Sequence, residues 1–199
     1  MKLYLARHAE AESGAQMDPT RDLTDIGKKQ AKMMGKWLAR QAPEHKPGIL
    51  VQSNFHRARA TAKRMGKQLD LEPMDCPMGA LDPETDPEQC WNALKKLASD
   101  NGVDSVLAVT HGPLVERMLA YLTGSPLPQQ FRFAHSAIAH FVTTTGKRGV
   151  MHWLVTPNVV ARDDDEQDLV TPDVTRTVEA ALDLVEAVLA RTVEAALSG

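Results

Sequence analysis

Short apolar runs alternate with longer segments of helical period through most of the chain, and that alternation limits the fold more than any other feature. Leu3-Tyr4-Leu5, Ile49-Leu50-Val51 and Val106-Leu107-Ala108-Val109 are too short for helices and offer no polar side to water. They read as strands buried on both faces. After Thr24, a helix N-cap followed by Asp25 in the first turn, Ile26, Met33, Met34, Trp37 and Leu38 recur at helical spacing. Ser53 is read as the cap of a second helix through Ala58, Ala62, Met65 and Leu69. Asp86-Pro87-Glu88-Gln89 opens a third, with an Asp cap, Pro at the first helical position and Gln closing a capping box. It carries Trp91, Leu94 and Leu97 toward the core. A fourth helix has Leu114, Met118, Leu119 and Leu122 on one face and stops at Gly124-Ser125-Pro126. A short strand falls near Met74, and Ala137 to Thr143 with Val150 to Val155 form an edge hairpin. The predicted class is α/β: a three-layer sandwich with a mainly parallel sheet and helices on both faces.

From about Pro157 the composition changes, which divides the chain into a domain over residues 1–160 and an extension over 161–199. Asp163-Asp164-Asp165-Glu166 reads as a solvated linker. A helix from about Asp173 to Leu197 follows, with Val174, Val178, Leu182, Val185 and Leu189 in one apolar stripe. The stripe is buried either against the domain or against a second copy of the chain, as a homodimer.

The net charge of −3 gives no general attraction to nucleic acid or to an anionic membrane. Cys76 and Cys90 are too few for a disulfide framework, and no Cys/His cluster has zinc-ligand spacing. Neither a metal nor a cofactor is expected. Arg7 and His8 interrupt the first apolar run, so it is not a signal peptide, and no run is long enough to span a bilayer. A reducing, cytoplasmic setting follows as the expectation.

In sheets of this kind ligands bind beyond the carboxyl ends of the strands. Arg7-His8 and Thr110-His111-Gly112 stand at that end of two strands distant in sequence, and Arg57 lies at a helix start. Two guanidinium forks and two imidazoles converging there make an oxyanion site, because the forks match phosphate oxygens in pairs. Other polar residues read differently. His135 and His140 are an odd number apart along an expected strand, so they face opposite sides and are not joint ligands. His56 either lines the pocket or is surface, Ser136 is placed near the phosphate, and Trp37, Trp91 and Trp153 are core.

Four segments, in order, resemble one known family. Leu5-Ala6-Arg7-His8-Ala9-Glu10 is similar to the Arg-His-Gly signature of the histidine phosphatase (phosphoglycerate mutase-like) superfamily, with Ala9 in place of Gly. Leu23-Thr24-Asp25-Ile26-Gly27-Lys28-Lys29-Gln30-Ala31 matches its Leu-Thr-x-x-Gly-x-x-Gln-Ala helix entry. Ser53 to Ala62 is similar to its Ser-Pro-x-x-Arg-Ala-x-Gln-Thr-Ala segment, with Asn54 and Ala60 replacing Pro and Gln. Val109-Thr110-His111-Gly112-Pro113 resembles the strand that brings in the second histidine, with Gly112 where one branch has an acidic residue. The size and the ending Trp153-Leu154-Val155-Thr156-Pro157 look most like bacterial protein-phosphohistidine phosphatases of the SixA type.

The resemblance implies a histidine phosphatase fold and a metal-independent phosphatase with His8 as nucleophile. Arg7, Arg57 and His111 then hold the phosphoryl oxygens, with His111 in a catalytic role as well. A proton donor for the leaving group is sought among Glu10, Glu12, Asp82 and Glu84, with Asp82 best placed by family position. Without such an acid the site suits a leaving group that already departs easily, such as a protonated imidazole. Phosphohistidine in a protein is therefore the preferred substrate. The alternatives are a phosphatase of small phosphomonoesters (sugar phosphates or nucleotides) and a phosphate-binding interaction module without turnover, toward which Ala9 points if its methyl narrows the approach to His8.

Overall fold

In the computed structural model, which describes residues 1–128, 130–143 and 149–163, six strands form one sheet. The elements run β1 (Lys2–Arg7), α1 (Asp25–Ala39), β2 (Ile49–Gln52), α2 (His56–Leu69), β3 (Pro73–Asp75) and α3 (Pro87–Asp100). They continue as β4 (Ser105–Thr110), α4 (Leu114–Thr123), β5 (Ile138–Val142), β6 (Val150–Val155) and α5 (Pro157–Asp163). The sheet order is β3-β2-β4-β1-β5-β6, parallel from β3 to β1, with β5 antiparallel to both β1 and β6.

Alternation along the central strands builds the three layers. Leu3, Leu5, Val106 and Ala108 point to one face, where they pack with Trp91 and Leu94 of α3 and Leu114, Met118 and Leu122 of α4. Tyr4, Ala6, Leu107 and Val109 point to the other, against Met33, Met34 and Leu38 of α1 and Ala58, Ala62 and Met65 of α2. All of these are essentially removed from water, and a fully buried Leu or Val stabilises by about 1.5–3 kcal/mol. No helix among the described residues is long and apolar enough to cross a membrane.

Helix starts follow the expected caps at two places. Thr24 Oγ1 accepts from the Gly27 amide at 3.0 Å, and Asp86 Oδ1 accepts from the Glu88 and Gln89 amides. The second helix differs: it begins at His56 with Phe55 as its N-cap, and Ser53 accepts only a long 3.4 Å bond from the Phe55 amide, ahead of the helix. The Ser53 hydroxyl is engaged across the fold instead. His135 also differs, because β5 begins at Ile138 and leaves it in the preceding turn.

A short helix that the periodicity did not suggest, α5, packs on α1 and buries Val160 and Ala161. The division near residue 160 therefore falls inside an element. The acidic run beyond Asp163 and the expected C-terminal helix lie outside the described residues.

Candidate active site

β1 and β4 are direct neighbours with Arg7 opposite Thr110, so the residues that follow them, His8 and His111, leave the sheet side by side. The His8 amide donates to the Thr110 carbonyl at 2.8 Å, and the two imidazole centroids are 5.1 Å apart. Arg57 arrives from the first turn of α2, fully buried. The four predicted residues thus come together from three elements. Arg7, His8 and Arg57 line a cleft of about 840 Å³; His111 is wholly buried behind His8.

Hydrogen bonds define the state of His8. Its Nδ1 lies 2.7 Å from the Ala9 carbonyl, which can only accept, so Nδ1 carries the proton. Nε2 then keeps its lone pair, and it accepts from the Nε–H of Arg57 at 3.2 Å. Burial pushes the His8 pKa well below the ordinary histidine value; His111, Arg7 and His135 act in the same direction. The imidazole is neutral at neutral pH, with its unprotonated nitrogen, Nε2, turned to Arg57.

The remaining donors of Arg57 hold the first loop. Nη1 donates to the Asp18 carbonyl and Nη2 to the Gln16 carbonyl, each at 2.8 Å. Burial and the neighbouring Arg21 lower its pKa to about 10, so it stays charged. Arg7 donates to the Phe133 carbonyl at 2.5 Å. Gln16 closes the rim by donating to the Gly112 carbonyl at 2.9 Å.

Ser53 connects His111 to Asp82. The hydroxyl lies 2.8 Å from His111 Nε2 and 2.8 Å from Asp82 Oδ1. Asp82, the candidate proton donor, is therefore behind His111 and is not among the residues lining the cleft. The carboxylates that do line it are Glu12 and Glu116. Glu10 is turned away and accepts from Thr24 Oγ1 at 2.8 Å.

Two cleft residues escaped the sequence reading. His135 lies with its ring 5.5 Å from that of His8, and burial together with Arg7 and Arg21 lowers its pKa to about 3. The turn that presents it passes through Ser136 at φ 58°, whose amide donates to the His8 carbonyl. Arg21 reaches the cleft from the first loop, anchored on the Glu12 carbonyl at 2.9 Å. Arg21 stands two residues ahead of the Leu23-Thr24 helix entry, and that position beside a matched segment is the one signal the sequence holds for it. His140 faces the opposite way, stacked on Tyr4 with centroids 4.5 Å apart. His56 is exposed and lines a separate groove with Arg59 and Lys63.

The methyl of Ala9 does not narrow the cleft. It is buried in a small cluster with Leu23, Ala31 and Ala60, and the Ala9 amide donates to Thr61 Oγ1 at 3.0 Å. Ala60, another departure from the motif, fills the same cluster.

Comparison with known proteins points to one family. The model of the histidine phosphatase superfamily (branch 1) matches residues 3–78. The phosphohistidine phosphatase SixA of Escherichia coli (strain K12) is 32% identical over 157 residues, covering 79% of this chain and 94% of that protein. A SixA homolog of Haemophilus influenzae is 32% identical over 140 residues, 66% of this chain and 82% of its own length. The structure of the protein histidine phosphatase SixA complexed with tungstate superposes with a TM-score of 0.70 at 30% identity, covering 80% of this chain and 99% of the other. With this fold, two histidines at adjoining strand ends and a relative matched over nearly its whole length, the chain belongs to the histidine phosphatase superfamily.

Proposed function

We propose that the chain is a phosphatase that removes the phosphoryl group from phosphohistidine in proteins, carrying it on His8. The observation that supports this most directly is the His8 Nδ1 contact with the Ala9 carbonyl, which leaves the Nε2 lone pair for attack. Nε2 bonds to phosphorus as the P–N bond of the substrate breaks, and the bonding pair leaves with the substrate imidazole. That ring departs readily when it takes up a proton, so the step makes little demand on an acid. Water then attacks phosphorus, the His8 Nε2–P bond breaks, and inorganic phosphate is released.

Arg7 and Arg57 supply fixed positive charge to the equatorial oxygens, and His111 adds a hydrogen-bonding group beside them. The burial of Arg57 and His111 strengthens that attraction. The relatives named phosphohistidine phosphatase support the substrate class. A cytoplasmic setting belongs to the same reading, supported by the two free thiols, Cys76 and Cys90.

A second reading, hydrolysis of small phosphomonoesters, is favoured by Glu12 and Glu116 in the cleft wall, since an alkoxide leaving group requires a proton. Side-by-side turnover of a phosphohistidine protein and of p-nitrophenyl phosphate separates the two. The expected outcome is preference for the phosphohistidine protein, with all turnover lost in His8→Ala. Turnover that survives His8→Ala would overturn the nucleophile. Preference for the ester would select the second reading.

A further inference from the structure

The Ser53 hydroxyl has one proton to share between two side chains, besides accepting a long bond from the Phe55 amide at 3.4 Å, and this fixes the direction of both side-chain hydrogen bonds. The Asp82 carboxylate only accepts, so the hydroxyl donates to Oδ1 at 2.8 Å. The oxygen of Ser53 is left to accept, and it does so from His111 at 2.8 Å. His111 must therefore carry its proton on Nε2. Its Nδ1, wholly buried, has no hydrogen-bond partner among the described residues.

We infer that Asp82 and Ser53 form a relay that sets the tautomer of His111 and supports its imidazolium form when a phosphoryl group reaches His8. The inference rests on the reading of His8 as the phosphoryl carrier. The charged and titratable groups facing His111 are Arg7 and His8 from the end of β1, Arg21 from the first loop and Arg57 from α2. None of these favours a positive ring. Burial, then Arg57, Arg7 and Arg21, lower the His111 pKa to about 3, so the resting ring is neutral with its lone pair on Nδ1.

A phosphoryl oxygen on His8 that reaches the neighbouring His111 ring at that lone pair would be repelled. Uptake of one proton from solvent at Nδ1 turns the repulsion into a donated hydrogen bond, and Nε2–H stays on Ser53. Asp82 is the carboxylate at the end of this hydrogen-bonded chain and offsets the new charge. Asp82 and Ser53 are positioning residues here, acting through His111 without touching the phosphoryl group. The proton donor suggested by family position becomes the counter-charge of the second histidine.

Two measurements on the full chain test the relay. In the pH profile of kcat/KM, Ser53→Ala and Asp82→Ala should move the basic limb to lower pH by about one unit, a tenfold loss above the limb. Asp82→Asn keeps an acceptor without charge, so it should show the same shift, while Ser53→Thr should restore the wild-type profile. A uniform fall at every pH, with the limb unmoved, would mean a purely structural role and would overturn the inference.

The second measurement needs no turnover. Two-bond proton–nitrogen correlation spectra of histidine-labelled protein should show His111 as the Nε2–H tautomer in wild type and in Asp82→Asn, and a mixture in Ser53→Ala. An Nδ1–H tautomer in wild type would overturn the relay. Failure of the His8 reading appears instead as turnover that survives His8→Ala, so the two failures are distinguishable.

Discussion

Arg57 donates its Nε–H to Nε2 of His8 while both of its Nη groups hold carbonyls of the first loop. One guanidinium thus touches the nucleophile and fixes the wall of the cleft. Lysine cannot reproduce this, since an ammonium is a point charge without the planar fork. Arg57→Lys is expected to lower kcat/KM by about a hundredfold or more, the scale for removing one fixed donor to a developing oxyanion. Steady-state kinetics on the phosphohistidine substrate checks it. A loss below fivefold would show that charge alone suffices there.

Buried histidines make acid stability a direct readout of the site. Burial lowers the pKa of His8 well below the ordinary value, that of His111 to about 3 and that of His140 to about 4. In the unfolded chain each titrates at about 6.5. Between that pH and the folded values the unfolded state binds more protons, so stability is present above about pH 6.5 and falls as pH drops. The loss approaches about 1.4 kcal/mol per pH unit for each such histidine. Urea unfolding at pH 7.0, 6.0 and 5.0 measures it, and His111→Asn is expected to flatten the slope. An unchanged slope would mean that His111 is not buried neutral.

The strands were legible because a run apolar on both faces has few other fates, and Thr24 and Asp86 were legible because capping is local. Ser53 was not. Its sequence neighbourhood is that of a helix cap, while its hydroxyl answers to His111 and Asp82, 58 and 29 residues away. Alternation puts His135 on a strand face, but β5 starts three residues later, and the positive φ of Ser136 redirects the chain. Arg7, His8, Arg57 and His111 were recognisable because each stands at an element end. What was missed comes from loops, where side-chain direction follows tertiary contacts and leaves no period.

Gly27 illustrates a motif glycine with a steric cause. A methyl added there would sit 1.9 Å from the Glu10 carbonyl oxygen, which is backbone and cannot swing aside. Helix propensity alone favours Ala over Gly by about 1 kcal/mol. The clash outweighs that: Gly27→Ala is expected to cost about 3 kcal/mol net. For a domain of this size the melting temperature drops by about 6 to 12 °C. Because the displaced segment leads into the loop held by Arg57, kcat/KM falls as well. Calorimetry and kinetics on the same variant check both, and a stabilised variant would refute the steric account.

The last described helix, α5, marks where the chain can be cut without opening the described core. Val160 and Ala161 of α5 are buried against the α1 layer, so a cut at residue 160 would strip apolar contacts from the core. A chain ending at Asp163 keeps α5 entire. It is expected to keep its turnover and to melt within a few degrees of the full-length protein, because each residue named in the site precedes α5. The remaining segment carries the apolar stripe that suggested a homodimer, and light scattering on the two forms decides its role. A full-length dimer that becomes a monomer at Asp163 assigns association to the extension. Equal masses remove that role, and a cut protein that loses its fold would show that the domain extends past α5.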